Sequence, residues 1–149
     1  MKLTDTIGAL LRHKGQNVWS IAPDASVYEA IEMMSEKHVG ALLVIAEGRL
    51  AGVISERDYA RKVILQGRSS RETAVREIMT GEVVWVTPQH TVDECMRLMT
   101  TNRIRHLPVV IGEAVVGVIT IGDLVNWIIS AHEETIHQLH SYITGQYPG

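Results

Sequence analysis

Gly52-Val53-Ile54-Ser55-Glu56-Arg57-Asp58 and Gly117-Val118-Ile119-Thr120-Ile121-Gly122-Asp123 decide how this chain is read. Each stretch runs from an apolar strand into a hydroxyl residue at a helix start, with a carboxylate three positions further on. The two lie 65 residues apart, and the same offset, without a gap, aligns Pro23 with Pro88, Val27 with Val92, Glu29 with Glu94, Met34 with Met99, Leu42 with Leu107 and Val44 with Val109. Chemistry is kept where identity is not, as in Ser26 with Thr91 and Ser55 with Thr120. A fixed offset sustained over so many positions marks a duplicated structural unit.

Each copy reads as strand, helix, strand, strand, helix, an α/β (α+β) organisation of two repeated β-α-β-β-α motifs. Ser26-Val27-Tyr28-Glu29 and Thr91-Val92-Asp93-Glu94 have the form of capping boxes behind a proline. Val27, Ala30, Ile31 and Met34, like Val92, Cys95, Met96 and Met99, then fall at i, i+3, i+4 and i+7 and give each helix one apolar face. The runs 41–46 and 107–111 are too short for helices; turns at Glu47-Gly48 and Gly112-Glu113 lead to second runs, 50–54 and 115–119, predicting a buried hairpin in each copy. The closing helices carry Tyr59, Val63 and Ile64, or Leu124, Ile128 and Ile129, on their inner sides. These boundaries divide the chain into an N-terminal lead-in at 1–17, a first motif at 18–66, a polar linker and lead-in at 67–80, a second motif at 81–131 and a helix end with a frayed tail at 132–149. The lead-in helix, 1–14, is expected to pack outside the repeat.

Composition narrows the function. With 14 basic and 17 acidic residues the net charge is -3, so no positive field invites nucleic acid. Residues 39–46, the longest uncharged apolar run, stop at Glu47, far short of a membrane span. The single cysteine, Cys95, sits on an apolar helix face and reads as a core residue; with no secretory pattern at the start, the expectation is a cytoplasmic protein. His137 and His140 stand at i, i+3 on the last helix without metal-ligand spacing, and Trp19, Trp85 and Trp127 are expected to pack. No catalytic residue and no metal site emerges.

The duplicated motif suits a nucleotide. A hydroxyl at a helix start can help hold phosphate, and an Asp one turn later can accept ribose hydroxyls. The same residues can equally be further helix caps, and the sequence leaves both readings open. Positive charge gathers at the matching strand entrances, Lys37-His38 in the first copy and Asn102-Arg103-Ile104-Arg105-His106-Leu107-Pro108 in the second, and the first offers fewer cations because Gly40-Ala41-Leu42-Leu43 stand where the second has Arg105-His106-Leu107-Pro108. Arg57, whose counterpart is Gly122, supplies a cation to the first copy alone, so the two sites are expected to differ.

The order of elements, both Gly-x-x-Ser/Thr-x-x-Asp motifs, the Arg105-to-Val110 stretch and the lead-in at 76–80 resemble the tandem cystathionine-beta-synthase (CBS) domain pair, or Bateman module, and in particular stand-alone bacterial CBS-pair proteins. The resemblance covers residues 18–129. It implies two motifs packed about a pseudo-twofold axis, with two clefts for adenine nucleotides or related adenosyl ligands. It further implies that Asp58 and Asp123 hold ribose hydroxyls and that Ser55 and Thr120, helped by Arg57, Arg105 and His106, approach phosphate. Thr87, unlike its counterpart Ala22, would lie beside the ligand, and the main chain around Val39, Gly40 and Ala41, and around Ile104, His106 and Pro108, would address the adenine edge. The implied ligand is AMP, with NAD, NADH or ATP as relatives. The implied role is a non-catalytic signal-transduction module that senses energy or redox state and acts on an effector protein. Surplus apolar positions Leu124, Ile128 and Ile129, with the outer helices, point to a homodimer. The alternatives are a scaffold with empty clefts and a nucleotide-processing enzyme using Asp58 or Asp123.

Overall fold

The computed structural model describes residues 2–15 and 17–143, the side chains of 135 and 138–143 excepted. The tail expected to fray lies outside the described residues. In chain order the elements are α1 (Ile7–Lys14), β1 (Ser20–Ile21), α2 (Val27–Lys37), β2 (Ala41–Ala46), β3 (Arg49–Ser55), α3 (Glu56–Tyr59) running into a π-helical turn (Ala60–Ile64), α4 (Val75–Ile78), α5 (Val92–Asn102), β4 (His106–Ile111), β5 (Ala114–Thr120) and α6 (Ile121–Ile143). They form two compact units. One gathers Asn17–Trp85 with Val110–Gly117; the other gathers Val86–Val109 and Val118–Gly149 with the N-terminal Met1–Gln16.

In the unit of the first copy, β1 runs parallel to β2, with Ser20 opposite Leu43, and β2 pairs antiparallel with β3, from Ala41 opposite Ser55 to Ala46 opposite Arg49. Glu47 and Gly48 turn the hairpin with φ of 52° and 77°, the positive values a two-residue loop demands. Val27, Ala30 and Met34 of α2 cover Leu42, Val44 and Ile54, as their spacing predicts, and Val63, Val75 and Ile78 complete the core. Ile64 does not join it. The π-helical turn, marked by the Leu65 N–H donating to the Ala60 carbonyl at 3.0 Å, shifts the register of the α-helical face and leaves Ile64 56% exposed.

The unit of the second copy is built on α5 with the parts of β4 and β5 outside Val110–Gly117, and Val92, Cys95, Met99, Leu107, Val109 and Ile119 are buried in it. The first strand expected here shrinks to one parallel bridge, Val86 with Val109. Proline explains the loss: in the first copy the Leu43 N–H donates to the Trp19 carbonyl at 3.2 Å, and the counterpart of Leu43 is Pro108, which has no N–H to give. Pro108 only accepts, from the Val86 N–H at 3.0 Å. On α6, Leu124 faces inward and is fully buried; it belongs to the core and not to a surplus outer stripe. Val125 and Ile129 face out, so Ile129, like its counterpart Ile64, is not on the inner side.

The N-terminal helix is not packed outside the repeat. Ile7, Leu10 and Leu11 are buried, and the chain around α1 is stitched to the second copy by Ile7 N–H to the His90 carbonyl, Gly8 N–H to the Pro88 carbonyl and Val92 N–H to the Asp5 carbonyl. The start of α4 and the residues leading into it dock on the first copy in the same way, through Val75 N–H to the Ala25 carbonyl, Arg76 N–H to the Pro23 carbonyl and Val27 N–H to the Thr73 carbonyl. Each copy is thus completed by the lead-in that precedes the other. Gly52 shows how closely α4's end approaches: a Cβ there would stand 2.7 Å from the Thr80 carbonyl oxygen, beside the paired Val53 and Thr80. The linker is accordingly not all exposed: Thr73, Val75 and Ile78 are buried.

Candidate ligand site

Both motifs fold as helix caps. In the second copy the Asp123 N–H donates to Thr120 Oγ1 at 3.1 Å and the Thr120 N–H donates to Asp123 Oδ2 at 2.8 Å. In the first, the Asp58 N–H donates to Ser55 Oγ at 3.2 Å, while the Ser55 N–H and hydroxyl donate to Asp58 Oδ2 at 2.9 and 3.0 Å. These reciprocal bonds satisfy donors that a helix start would otherwise leave unpaired. The capping alternative left open by the sequence is therefore realised in both copies, and it fixes each carboxylate in place. By contrast, the box expected at α2 is one-sided: Ser26 accepts from the Glu29 N–H, and only Thr91 with Glu94 is reciprocal.

A lysine stands on each carboxylate. Lys14 Nζ lies 2.5 Å from Asp123 Oδ2 and donates to the Val118 carbonyl at 2.8 Å. Lys62 Nζ lies 3.1 Å from Asp58 Oδ1 and donates to the Ile78 carbonyl at 2.8 Å. Sequence reasoning missed both. Lys62 could have been found, because Asp58 and Lys62 form an i, i+4 pair on a helix; Lys14 reaches Asp123 across the fold from the other end of the chain, and no local pattern announces it.

Around Asp123 the second copy also brings His106 and Arg105. Burial holds the His106 imidazole below its ordinary protonation range, the positive charges of Lys14 and Arg105 push the same way, and Asp123 opposes them. Arg105 is exposed, and its carbonyl accepts the Ile121 N–H that opens α6; the Gly40 carbonyl accepts the Glu56 N–H in the same role. The N–H groups of Val39 and Ile104 are also committed, donating to the Met34 and Met99 carbonyls at 3.0 Å, so these two residues can address a base only through their carbonyls. Ala41 is tied into the hairpin opposite Ser55, Pro108 is buried in β4 and Arg57 is exposed on α3. Thr87 is held by His90, whose Nδ1 accepts the Thr87 N–H at 3.0 Å and lies 3.1 Å from Oγ1.

Other features separate from the site. Cys95 is fully buried, and desolvation pushes its thiol up to about 12, far from a nucleophile's range. Trp127 packs as expected, its Nε1–H donating to the Lys2 carbonyl at 3.2 Å; Trp19 is half-exposed beneath Lys37, and Trp85 is 52% exposed. Trp85 instead walls an open cleft of about 290 Å³ with Leu50, Val83 and Val110, and the Arg49–Glu113 ion pair at 3.0 Å closes its rim. This cleft lies at the hairpin turns and contains none of the motif residues, which stand at the opposite strand ends. Among the described residues no helix is long and apolar enough to cross a membrane.

The CBS domain pattern matches the chain twice, over residues 10–64 and 75–130. The chain is 43% identical over 152 aligned residues to the mitochondrial CBS domain-containing protein CBSX3 of Arabidopsis thaliana, covering 95% of this chain and 73% of that protein. It superposes on a protein with CBS domains from Burkholderia ambifaria MC40-6 with a TM-score of 0.80 and 48% identity, covering 84% of this chain and 94% of that one. It shares its fold with the CBS domain pair of protein MJ0100, solved in complex with 5'-methylthioadenosine and S-adenosyl-L-methionine, with a TM-score of 0.76 and 24% identity over 86% of this chain and 98% of that one. Two matches, each containing one of the capped Ser/Thr-x-x-Asp motifs, place the chain in the CBS-domain family as a tandem pair.

Proposed function

We propose that this CBS pair is a non-catalytic regulatory module that binds an adenine nucleotide, AMP first and NAD, NADH or ATP as relatives, and passes the signal to an effector protein. The observation that carries the reading is the second copy's grouping of a carboxylate held by its own helix start with Lys14, Arg105 and His106: an acceptor for ribose hydroxyls beside donors for phosphate. Every bond described on Asp123 falls on Oδ2, which leaves Oδ1 to meet a hydroxyl; on Asp58 the cap takes Oδ2 and Lys62 takes Oδ1. We therefore assign the ligand first to Asp123, with Thr120 and Thr87 beside it and the Ile104 carbonyl toward the base. The first-copy set, Ser55, Arg57, Asp58 and the main chain of 39–41, fills second. A homodimer using the exposed Ile64, Leu65, Val125 and Ile129, and a cytoplasmic setting, complete the proposal.

Calorimetric titration with AMP tests it. Asp123→Asn keeps an acceptor for the cap but removes the charge, and the loss of charge-assisted bonds should weaken AMP about tenfold to a hundredfold with little change in melting temperature. Wild-type affinity in a folded Asp123→Asn protein would reduce Asp123 to a cap and favour the empty-scaffold reading. ATP or AMP incubated with the protein and a divalent metal should be returned unchanged; turnover abolished by Asp58→Ala or Asp123→Ala would instead make the protein an enzyme.

A further inference from the structure

We infer that Lys14 is the specificity determinant of the second copy, the residue that makes it select a phosphorylated adenosyl ligand over an uncharged one; this rests on the adenine-nucleotide reading above and names what that site discriminates. Lys14 lies in the last turn of α1 and is placed by tertiary packing, its Nζ held between Asp123 Oδ2 and the Val118 carbonyl. An ammonium has three donors, and these two bonds leave one for a ligand. Its side chain is only 30% exposed, so its charge is not simply dispersed in solvent. Arg105 belongs to the same locality, since its charge and that of Lys14 both act on the His106 ring, as does the Asp123 carboxylate.

That balance penalises a neutral ligand. Ribose hydroxyls meeting Asp123 Oδ1 draw on a carboxylate whose Oδ2 is already held by Lys14, and a nucleoside brings no anion to engage the ammonium's remaining donor. A nucleoside monophosphate brings an anion that Lys14 can meet by turning its flexible stem, with Arg105 adding a second charged donor. The first copy lacks this grouping. Its lysine, Lys62, comes from the same helix as its carboxylate, and Gly40 and Ala41 stand where the second copy has Arg105 and His106. The two lysines occupy non-equivalent positions of the repeat, so selection by Lys14 belongs to the second copy alone.

Titration calorimetry of AMP and of adenosine against the wild type, Lys14→Gln, Lys14→Arg and Arg97→Gln tests the inference, Arg97 being an exposed cation paired with Asp93 on α5. Wild type should prefer AMP by about tenfold or more, the worth of one charge-assisted bond. Lys14→Gln should erase most of that preference by weakening AMP while adenosine holds or tightens; Lys14→Arg should restore it and Arg97→Gln should leave it intact. A preference unchanged in folded Lys14→Gln, or lost equally in Arg97→Gln, overturns the assignment. Should Lys14→Gln fail to fold, Arg105→Gln, at an exposed position, must lower the same ratio, and an unchanged ratio there also overturns it. Adenosine and AMP binding equally well to wild type would remove the inference and leave the adenine-site reading standing, whereas no binding of either would remove that reading itself.

Discussion

Asp58 and Asp123 come from the same seven-residue motif, sit in the same reciprocal cap and carry a lysine each, yet the lysines arrive by different routes. Lys62 is four residues from Asp58 on its own helix; Lys14 travels on the lead-in helix from the far end of the chain. The cap geometry has been copied with the repeat, while the lysine is placed locally in the first copy and by tertiary packing in the second. The difference teaches that the motif sets where a carboxylate points, and the surroundings set what it is free to bind: Asp58 has both oxygens engaged, whereas the bonds on Asp123 fall on one.

The comparison breaks most visibly at the exchanged lead-ins. Leu11 of α1 and Ile78 of α4 are almost fully buried, and truncating a buried aliphatic side chain costs about 2–5 kcal/mol. Leu11→Ala should strip hydrogen-exchange protection first from amides of α5 and β5, and Ile78→Ala from those of α2 and β3, although Leu11 precedes the first copy and Ile78 the second. Loss confined to the copy that each lead-in precedes would mean that the lead-ins are not exchanged.

That exchange also marks the limit of what the sequence discloses. The repeat, the hairpins at Glu47-Gly48 and Gly112-Glu113, the α2 and α5 faces and both Ser/Thr-x-x-Asp caps are legible because each depends on residues within a turn or two of one another. Docking of α1 on the second copy depends on bonds such as Ile7 N–H to the His90 carbonyl, which no periodicity encodes, and Lys14 reaches Asp123 only because of it. The reduced first strand of the second copy was written in Pro108, but its meaning required knowing that its counterpart Leu43 donates to Trp19. Ile64 was misplaced because a π-helical turn has no simple spacing signature.

The caps themselves offer the next test. Ser55→Ala and Thr120→Ala each remove the hydroxyl that accepts the Asp N–H, and each should cost about 1 kcal/mol in denaturant unfolding. Similar losses would confirm that the cap is the shared, copied part of the site. A much larger loss for Thr120 would show that the second cap also anchors the Lys14 contact.

Acid should separate the copies, since His106 has Ala41 as its counterpart. The groups acting on the ring are Lys14 and Arg105, which lower its protonation, and Asp123, which raises it; burial is the largest cause and also lowers it. With the folded value below the ordinary 6.5, the unfolded chain binds the proton more readily. The associated stability is therefore fully present above pH 6.5 and is lost as pH falls through the folded value. Melting temperatures followed downward from neutral pH should fall less steeply in His106→Gln than in wild type, and identical slopes would place the acid sensitivity elsewhere.

The finest test lies where the copies match in backbone and differ in side chain. α2 ends at His38 and α5 at Arg103, counterparts in the repeat, with φ of 56° and 53° and ψ of 43° and 46°. In both, the following N–H, of Val39 or Ile104, returns to the Met34 or Met99 carbonyl. A left-handed conformation costs a residue with a Cβ about 1–2 kcal/mol, and glycine gives part of that back through its freer unfolded chain, roughly 0.5–1 kcal/mol. His38→Gly and Arg103→Gly should therefore each stabilise by about 0.5 kcal/mol, and by nearly equal amounts, because neither side chain carries a bond that closes the turn. Chemical-denaturation midpoints read the difference directly. An unequal pair would mean that one side chain does work the backbone does not reveal, and a loss at Arg103 alone would point to a contact made by its guanidinium beside the second-copy strand start.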